Sequence, residues 1–167
     1  MYKDKKVSVI IAAAGSSARM GGINKQYLEV GGMPVLARSA KAFEKNAYTD
    51  EIIIAVRAGD EDNCMQSVVN RYSMRKVRAV VAGGSERCDS VKKALDAVSE
   101  DSGIVLVHDG ARPFVTQRLI HDVIDVADRC DAAVPCVSVK DTIKIVENVT
   151  VTETPDRSNL RAVQTPQ

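Results

Sequence analysis

The chain has 167 residues, enough to bury most of the surface its unfolded form exposes without disulfides or a structural metal, and its length argues for one domain, residues 1–167. Its 45% hydrophobic, 27% charged and 4% aromatic composition, a net charge of +1 and the lack of tryptophan exclude a protein that binds nucleic acid or membranes through bulk charge or base stacking. No apolar run approaches the roughly 20 residues of a membrane span, and Lys3, Asp4, Lys5 and Lys6 lead directly into a strand-like run rather than a signal peptide.

Charge is nevertheless uneven. Residues 1–45 hold eight Lys and Arg against three Asp and Glu, a local field that favours an anionic small ligand, although a solvated lysine face would look the same. Cys64, Cys88, Cys130 and Cys136 form no CxxC or Cys/His cluster. They read as small core residues of a protein in a reducing cytoplasm, not as a zinc site.

In chain order, residues 7–14 (VSVIIAAA) form a continuous apolar run, as expected of a strand covered on both faces. Residues 34–45 place Leu36, Ala40 and Phe43 on one helical stripe, and residues 51–56 are the next strand. Residues 60–71 are predicted helical, capped by Asp60, with Cys64, Met65, Val68 and Val69 inward. A third strand spans 77–83, and a helix over 86–99 presents Val91, Ala94, Leu95 and Val98. A fourth strand covers 103–109. A helix capped by Thr116 runs over 116–128 with Leu119, Ile120, Val123, Ile124 and Ala127 inside, and residues 131–137 (DAAVPCV) read as a fifth strand. This alternation predicts an α/β fold: a mostly parallel sheet with helices on both faces, its ligand at the carboxyl ends of the strands. Beyond residue 137, Thr142–Val146 and Val149–Thr152, joined through Glu147 and Asn148, predict a projecting β-hairpin arm within residues 138–158. A lone hairpin is marginally stable, so a second copy of the chain is the simplest surface for it to pack on, giving a homodimer.

The loop after the first strand, AAAGSSARMGGINKQYL (12–28), has a glycine where the chain must turn, then Arg19 and Lys25. Successive amides in such a turn cradle an anion, and the two cations can bind phosphate oxygens. The spacing matches neither GxxxxGK[ST] nor GxGxxG, so this loop alone is a phosphate-binding candidate and no more. In GGSERCDSV (83–91), Ser85 and Ser90 bracket a helix start whose amides could read a base or ribose; a plain capped helix with Arg87 in solvent fits equally. In VLVHDGARPF (105–114), Asp109 could hold a divalent cation against phosphates or simply form a turn before Gly110. His108 reads as a strand-end histidine without a catalytic role, and Arg112 as a structural ion pair or loop brace.

These three segments, with AVPCVSVKDTIK (133–144) and DRSNLRAVQTPQ (156–167), together resemble the 2-C-methyl-D-erythritol 4-phosphate cytidylyltransferase family in order and spacing over nearly the whole chain. The resemblance implies a Rossmann-like nucleotidyltransferase, a three-layer sandwich. Its reaction moves a cytidylyl group from CTP to methylerythritol phosphate with release of pyrophosphate, aided by Mg²⁺ or another divalent cation. It implies that Arg19 and Lys25 act at the triphosphate. Ala13, Ala14, Gly15, Ser16, Gly84, Arg87, Ser90, Asp109 and Gly110 would surround the nucleotide, Asp109 also holding the metal. Thr142, Arg157 and Thr165 would contact the polyol phosphate, with Arg157 reaching across a dimer from the other subunit; Lys144 lies at the hairpin base. At position 110 many members of that family carry alanine. The family also continues past the TPQ segment with a further metal-binding aspartate and a substrate-contacting lysine, so the expectation is a truncated member. A fragment that only binds cytidine nucleotide, or an enzyme for another polyol phosphate such as ribitol 5-phosphate, remain open alternatives.

Overall fold

A computed structural model describes residues 1–15 and 24–167. Strands β1 (Lys6–Ala13), β2 (Glu29–Val30) and β3 (Met33–Pro34) precede helix α1 (Val35–Glu44). Then come β4 (Glu51–Val56), α2 (Glu61–Cys64), which continues as a π-helical turn over Met65–Asn70, and β5 (Val77–Ala82). Next are α3 (Arg87–Leu95), β6 (Ser102–Asp109) and α4 (Gln117–Cys130). Strands β7 (Cys136–Ser138), β8 (Ile145–Glu147), β9 (Thr150–Glu153) and β10 (Arg161–Val163) complete the chain, with a short 3₁₀ turn at Arg157–Asn159.

Strands β5, β4, β1 and β6 pair in that order, all parallel. Alternation along β1 and β4 divides their side chains between the two faces. Val7, Val9, Ile11, Ile52, Ile54 and Val56 join Leu36, Ala40 and Phe43 of α1, Cys64 and Val68, and Ile120 and Ile124 of α4 in the larger core. Ile10, Ile53 and Ala55 meet Ala94 of α3 on the other face. Apart from Lys6, Ser8 and Glu51 at their amino ends, both central strands are therefore continuously apolar because neither face meets water. The strand order reverses at β1: the chain moves outward through β4 and β5, then returns to place β6 on the other side. The crevice at such a reversal, beyond the carboxyl ends of β1 and β6, is where open α/β sheets bind ligands.

Several expectations are corrected. DAAVPCV is not a fifth strand of the main sheet. Only Cys136–Ser138 is extended, and it pairs antiparallel with β10 at the surface. Asp60 makes no side-chain cap to α2; its carboxylate accepts a hydrogen bond from Asn24 Nδ2 at 3.0 Å instead. Leu95 is half exposed because α3 ends there and its stripe turns outward, while Val91 and Val98 pack only in part. Leu119 and Ala127 likewise lie at the edge of the α4 stripe, whose buried residues are Ile120, Val123 and Ile124. Thr116 caps α4 as expected, its Oγ1 accepting from Leu119 N at 3.2 Å. Of the cysteines, Cys64 alone is buried; Cys88, Cys130 and Cys136 are exposed.

The hairpin is present, displaced toward its carboxyl end. Strand β8 begins at Ile145, leaving Thr142 outside it, and the turn is Asn148–Val149, not Glu147–Asn148. Both turn residues have positive φ, 45° and 66°. That is the geometry a two-residue hairpin turn requires, and it strains the β-branched Val149.

Candidate active site

A cleft of about 640 Å³ opens beyond the carboxyl ends of β1, β5 and β6. Its lining includes Ala14, Gly15, Lys25, Gly84, Arg87, Ser90 and Asp109, all anticipated, together with Gln26, Ser85, Glu86 and Arg112. Ala13 ends β1 as a buried residue beneath it. Ser16 and Arg19 lie outside the described residues.

The wall after β5 is held by a tight local network. The Gly83 amide donates to the Val56 carbonyl at 2.7 Å, and Lys93 Nζ donates to the Gly83 carbonyl at 3.0 Å. The Gly84 amide donates to Ser90 Oγ at 3.0 Å, and that hydroxyl donates to the Glu86 carbonyl at 3.0 Å. Ser90 is therefore a buried brace that ties the loop to the first turn of α3. Asp89 adds a second tie, accepting from Ser85 Oγ at 2.9 Å and from the Glu86 amide at 3.1 Å. The Ser85 hydroxyl and then the Glu86 amide hold its carboxyl below the usual range. Glycine is required at position 84, where a Cβ would stand 2.2 Å from Asp89 Cβ.

The opposite wall follows β6. Asp109 is gripped by two guanidinium groups: Arg87 Nε donates to one carboxylate oxygen at 3.1 Å and Arg112 Nε to the other at 2.9 Å. Arg112 also donates through NH1 to Gln164 Oε1 at 2.5 Å, so it braces the loop as its sequence position suggested. The Gly110 amide donates to the Ala12 carbonyl at 2.9 Å and its carbonyl accepts from Ser39 Oγ at 2.7 Å. His108 is a fully buried strand-end residue: Nε2 donates to the Arg112 carbonyl at 3.0 Å, Phe43 packs edge-on against its ring, and burial pushes its imidazole below the ordinary range.

The three expected acceptor residues are dispersed. Thr165 is buried and its Oγ1 accepts from the Asp109 amide at 3.4 Å, which puts it directly behind this wall. Thr142 and Arg157 belong to the exposed arm, where Arg157 NH1 donates to the Lys140 carbonyl at 2.9 Å; neither lines the cleft of its own chain.

A divalent cation of the Mg²⁺ type commonly takes one or two carboxylates and completes its shell with water and substrate phosphates; at Asp109 it would have to compete with the two guanidinium groups that hold both carboxylate oxygens. Among the described residues no group of three His, Cys, Asp or Glu side chains gathers. Ser85 was read from the sequence only as part of the helix start at the cleft, and Gln26 and Glu86 were not singled out as site residues, although each adjoins one that was.

A family model described as "IspD: 2-C-methyl-D-erythritol 4-phosphate cytidylyltransferase" matches residues 7–167. The 2-C-methyl-D-erythritol 4-phosphate cytidylyltransferase of Alkaliphilus metalliredigens is 49% identical over 164 residues, 97% of this chain and 68% of that protein. The protein of the same name from Halalkalibacterium halodurans is 47% identical, with 96% and 70% covered. Among solved structures, the 4-diphosphocytidyl-2C-methyl-D-erythritol synthase of Anaerococcus prevotii superposes with a TM-score of 0.83 at 34% identity, covering 97% of this chain and 68% of that one. The 2-C-methyl-D-erythritol 4-phosphate cytidylyltransferase of Thermus thermophilus gives 0.72 at 35%, with 96% and 68% covered. The match runs through every strand that frames the cleft, and on that ground the chain belongs to the 2-C-methyl-D-erythritol 4-phosphate cytidylyltransferase family.

Proposed function

We propose that the cleft binds CTP and transfers its cytidylyl group to 2-C-methyl-D-erythritol 4-phosphate, giving 4-diphosphocytidyl-2-C-methyl-D-erythritol and pyrophosphate. The observation that carries this is the convergence of Gly15, Lys25, the Gly84–Ser90 segment and Asp109 on one cleft in a chain of this family. A phosphate oxygen of the acceptor attacks the α-phosphorus of CTP, the bond to the β-phosphate breaks, and pyrophosphate leaves. The nucleophile is already an anion, so no protein base is needed. The task is to align two anions and neutralise the charge that builds in the transition state.

Lys25 and Arg19 supply positive charge at the triphosphate; the role of Arg19 rests on the sequence resemblance. Ala13, Ala14, Gly15, Ser16 and Gly110 shape the backbone cradle, and Gly84, Arg87 and Ser90 form the cytidine side. Asp109, together with the phosphates, would hold Mg²⁺, which lowers the repulsion between the anions when bound. Its grip on Arg87 and Arg112 keeps the carboxylate in place until then. Thr165 lies behind Asp109, and Thr142 and Arg157 serve the acceptor from the arm. With Arg157 away from its own cleft, contribution to a second subunit's site is the arrangement we favour.

That arrangement requires a homodimer built through the 138–158 arm. In support, Ile145 (43% exposed), Val146 (54%), Val149 (98%) and Val151 (53%) present apolar surface to solvent on this hairpin. We treat residues 1–167 as one nucleotidyltransferase unit with this arm as its projection. Three exposed free thiols suit a reducing, cytoplasmic setting, and no helix among the described residues is long and apolar enough to cross a membrane.

The test is replacement of Lys25. Removing one preorganised charge-stabilising group typically lowers the rate by about 10²–10³-fold. Lys25→Ala is expected to lose turnover on that scale while melting near the wild-type temperature, and full turnover in the variant would exclude the role.

A further inference from the structure

We infer that Asp60 and Gln26 are positioning residues, a two-point clamp that sets Lys25 across the cleft. The inference rests on the reading that Lys25 meets the triphosphate. Asp60 lies 35 positions away in sequence, follows β4, and is not a lining residue of the cleft. Its carboxylate is not spent on capping α2. It accepts instead from Asn24 Nδ2 at 3.0 Å, one residue before Lys25.

Asn24 in turn builds the bend on which Lys25 sits. Its Oδ1 accepts from the Gln26 amide at 3.2 Å and its carbonyl from the Tyr27 amide at 3.1 Å. Asp60 is itself fixed: its amide donates to the Arg57 carbonyl and its carbonyl accepts from the Cys64 amide, both at 2.9 Å. One side of the Lys25 bend is thereby tied to the exit of β4.

Gln26 ties the other side. It is 4% exposed, and its carbonyl accepts from the Leu36 amide at 2.9 Å at the start of α1. Its Oε1 lies 2.9 Å from the place a Cβ on Gly110 would take, directly after β6. That amide oxygen has no hydrogen-bond partner among the described residues. The backbone of Lys25 is thus held between the exits of β4 and β6, on either side of β1. A lysine on a mobile loop would lose freedom on meeting phosphate, whereas one already placed binds without that loss.

The experiment is calorimetric titration of CTP with Mg²⁺ into wild type, Lys25→Ala, Asp60→Ala, Asp60→Asn and the Lys25→Ala/Asp60→Ala double variant, each with its melting temperature. Lys25→Ala should weaken CTP binding. Asp60→Ala should weaken it roughly tenfold, the scale of a lost hydrogen bond to a charged group, and add nothing once Lys25 is gone. Asp60→Asn keeps an acceptor oxygen for Asn24 and should bind like wild type. If Asp60→Ala folds poorly, Asn24→Ala removes this hydrogen bond together with the one its Oδ1 accepts from the Gln26 amide, and is expected to lose at least as much affinity with Lys25 present and none once Lys25 is gone. An unchanged affinity in Asp60→Ala while Lys25→Ala is weakened overturns the clamp and leaves the function standing. So does an equal Asp60→Ala loss in both backgrounds, or an Asp60→Asn loss as large as that of alanine. An unchanged affinity in Lys25→Ala overturns the triphosphate role and the clamp together.

Discussion

At the end of the sheet opposite the cleft, Glu51 opens β4 as a buried carboxylate. It accepts from Ser8 Oγ at 2.7 Å, the Ser99 amide at 2.8 Å, Ser99 Oγ at 2.6 Å and Arg78 NH1 at 3.3 Å, with Lys6 Nζ 3.7 Å away. Burial alone would push its carboxyl up; the Ser99 and Ser8 hydroxyls, the Ser99 amide and the Lys6 charge outweigh that and hold it at about 2, against an ordinary 4.5. Favouring the ionised form by that margin is worth about 3 kcal/mol at neutral pH. Because the folded value is depressed, the stabilisation is complete above the unfolded value of 4.5 and is lost as pH falls from there toward about 2. Glu51→Gln places an NH₂ group against donors whichever way the amide turns. The variant should therefore be about 3 kcal/mol less stable than wild type at pH 7, equivalent to roughly 6–12 °C in melting temperature for a chain of this size. Urea unfolding of both proteins at pH 7, 4 and 2.5 measures the gap, which should shrink steadily across that series. A gap that is constant with pH, or smaller than about 1 kcal/mol at pH 7, would refute the electrostatic account of this network.

Gly84→Ala would bring a Cβ to 2.2 Å from Asp89 Cβ and 3.3 Å from the Asp89 carbonyl carbon, so the loop or the start of α3 must move by more than 1 Å. Overpacking of this kind costs about 1–3 kcal/mol. A fall in melting temperature together with weaker CTP binding is expected, and a variant normal in both would show that this wall is not rigid. Arg157→Ala should raise the KM for methylerythritol phosphate roughly tenfold or more, the scale of a lost charged contact, while leaving the KM for CTP near wild type. Unchanged acceptor kinetics would remove Arg157 from the site, and a monomer in sedimentation would remove its proposed action across subunits.

Much of the sheet was legible because burial on two faces leaves a strong mark. Past Ser8 and Glu51 at their amino ends, VSVIIAAA and EIIIAV carry no polar residue, and the α1 stripe of Leu36, Ala40 and Phe43 is fully buried. DAAVPCV shows the limit of that signal: an apolar run announces extension but not its neighbour, and this one runs to a surface pairing with β10. The hairpin turn was misplaced by one residue because valine is a poor choice for a left-handed position, yet Val149 occupies one. At the site, glycine loops and cations were recognisable because five motifs recur together, and the family followed from their order. The pairing of Asp109 with Arg87 and Arg112 was only half foreseen, through the loop-bracing role given to Arg112. The tie between Asn24 and Asp60 was not foreseen, since it joins residues 36 apart with no periodicity to link them.

The central claim is tested most directly by pyrophosphate release from CTP and Mg²⁺ with this 167-residue chain, with 2-C-methyl-D-erythritol 4-phosphate and ribitol 5-phosphate offered side by side. The account predicts release that depends on methylerythritol phosphate and saturates with CTP. Release with ribitol 5-phosphate in its place, or CTP binding without release from either acceptor, would contradict it.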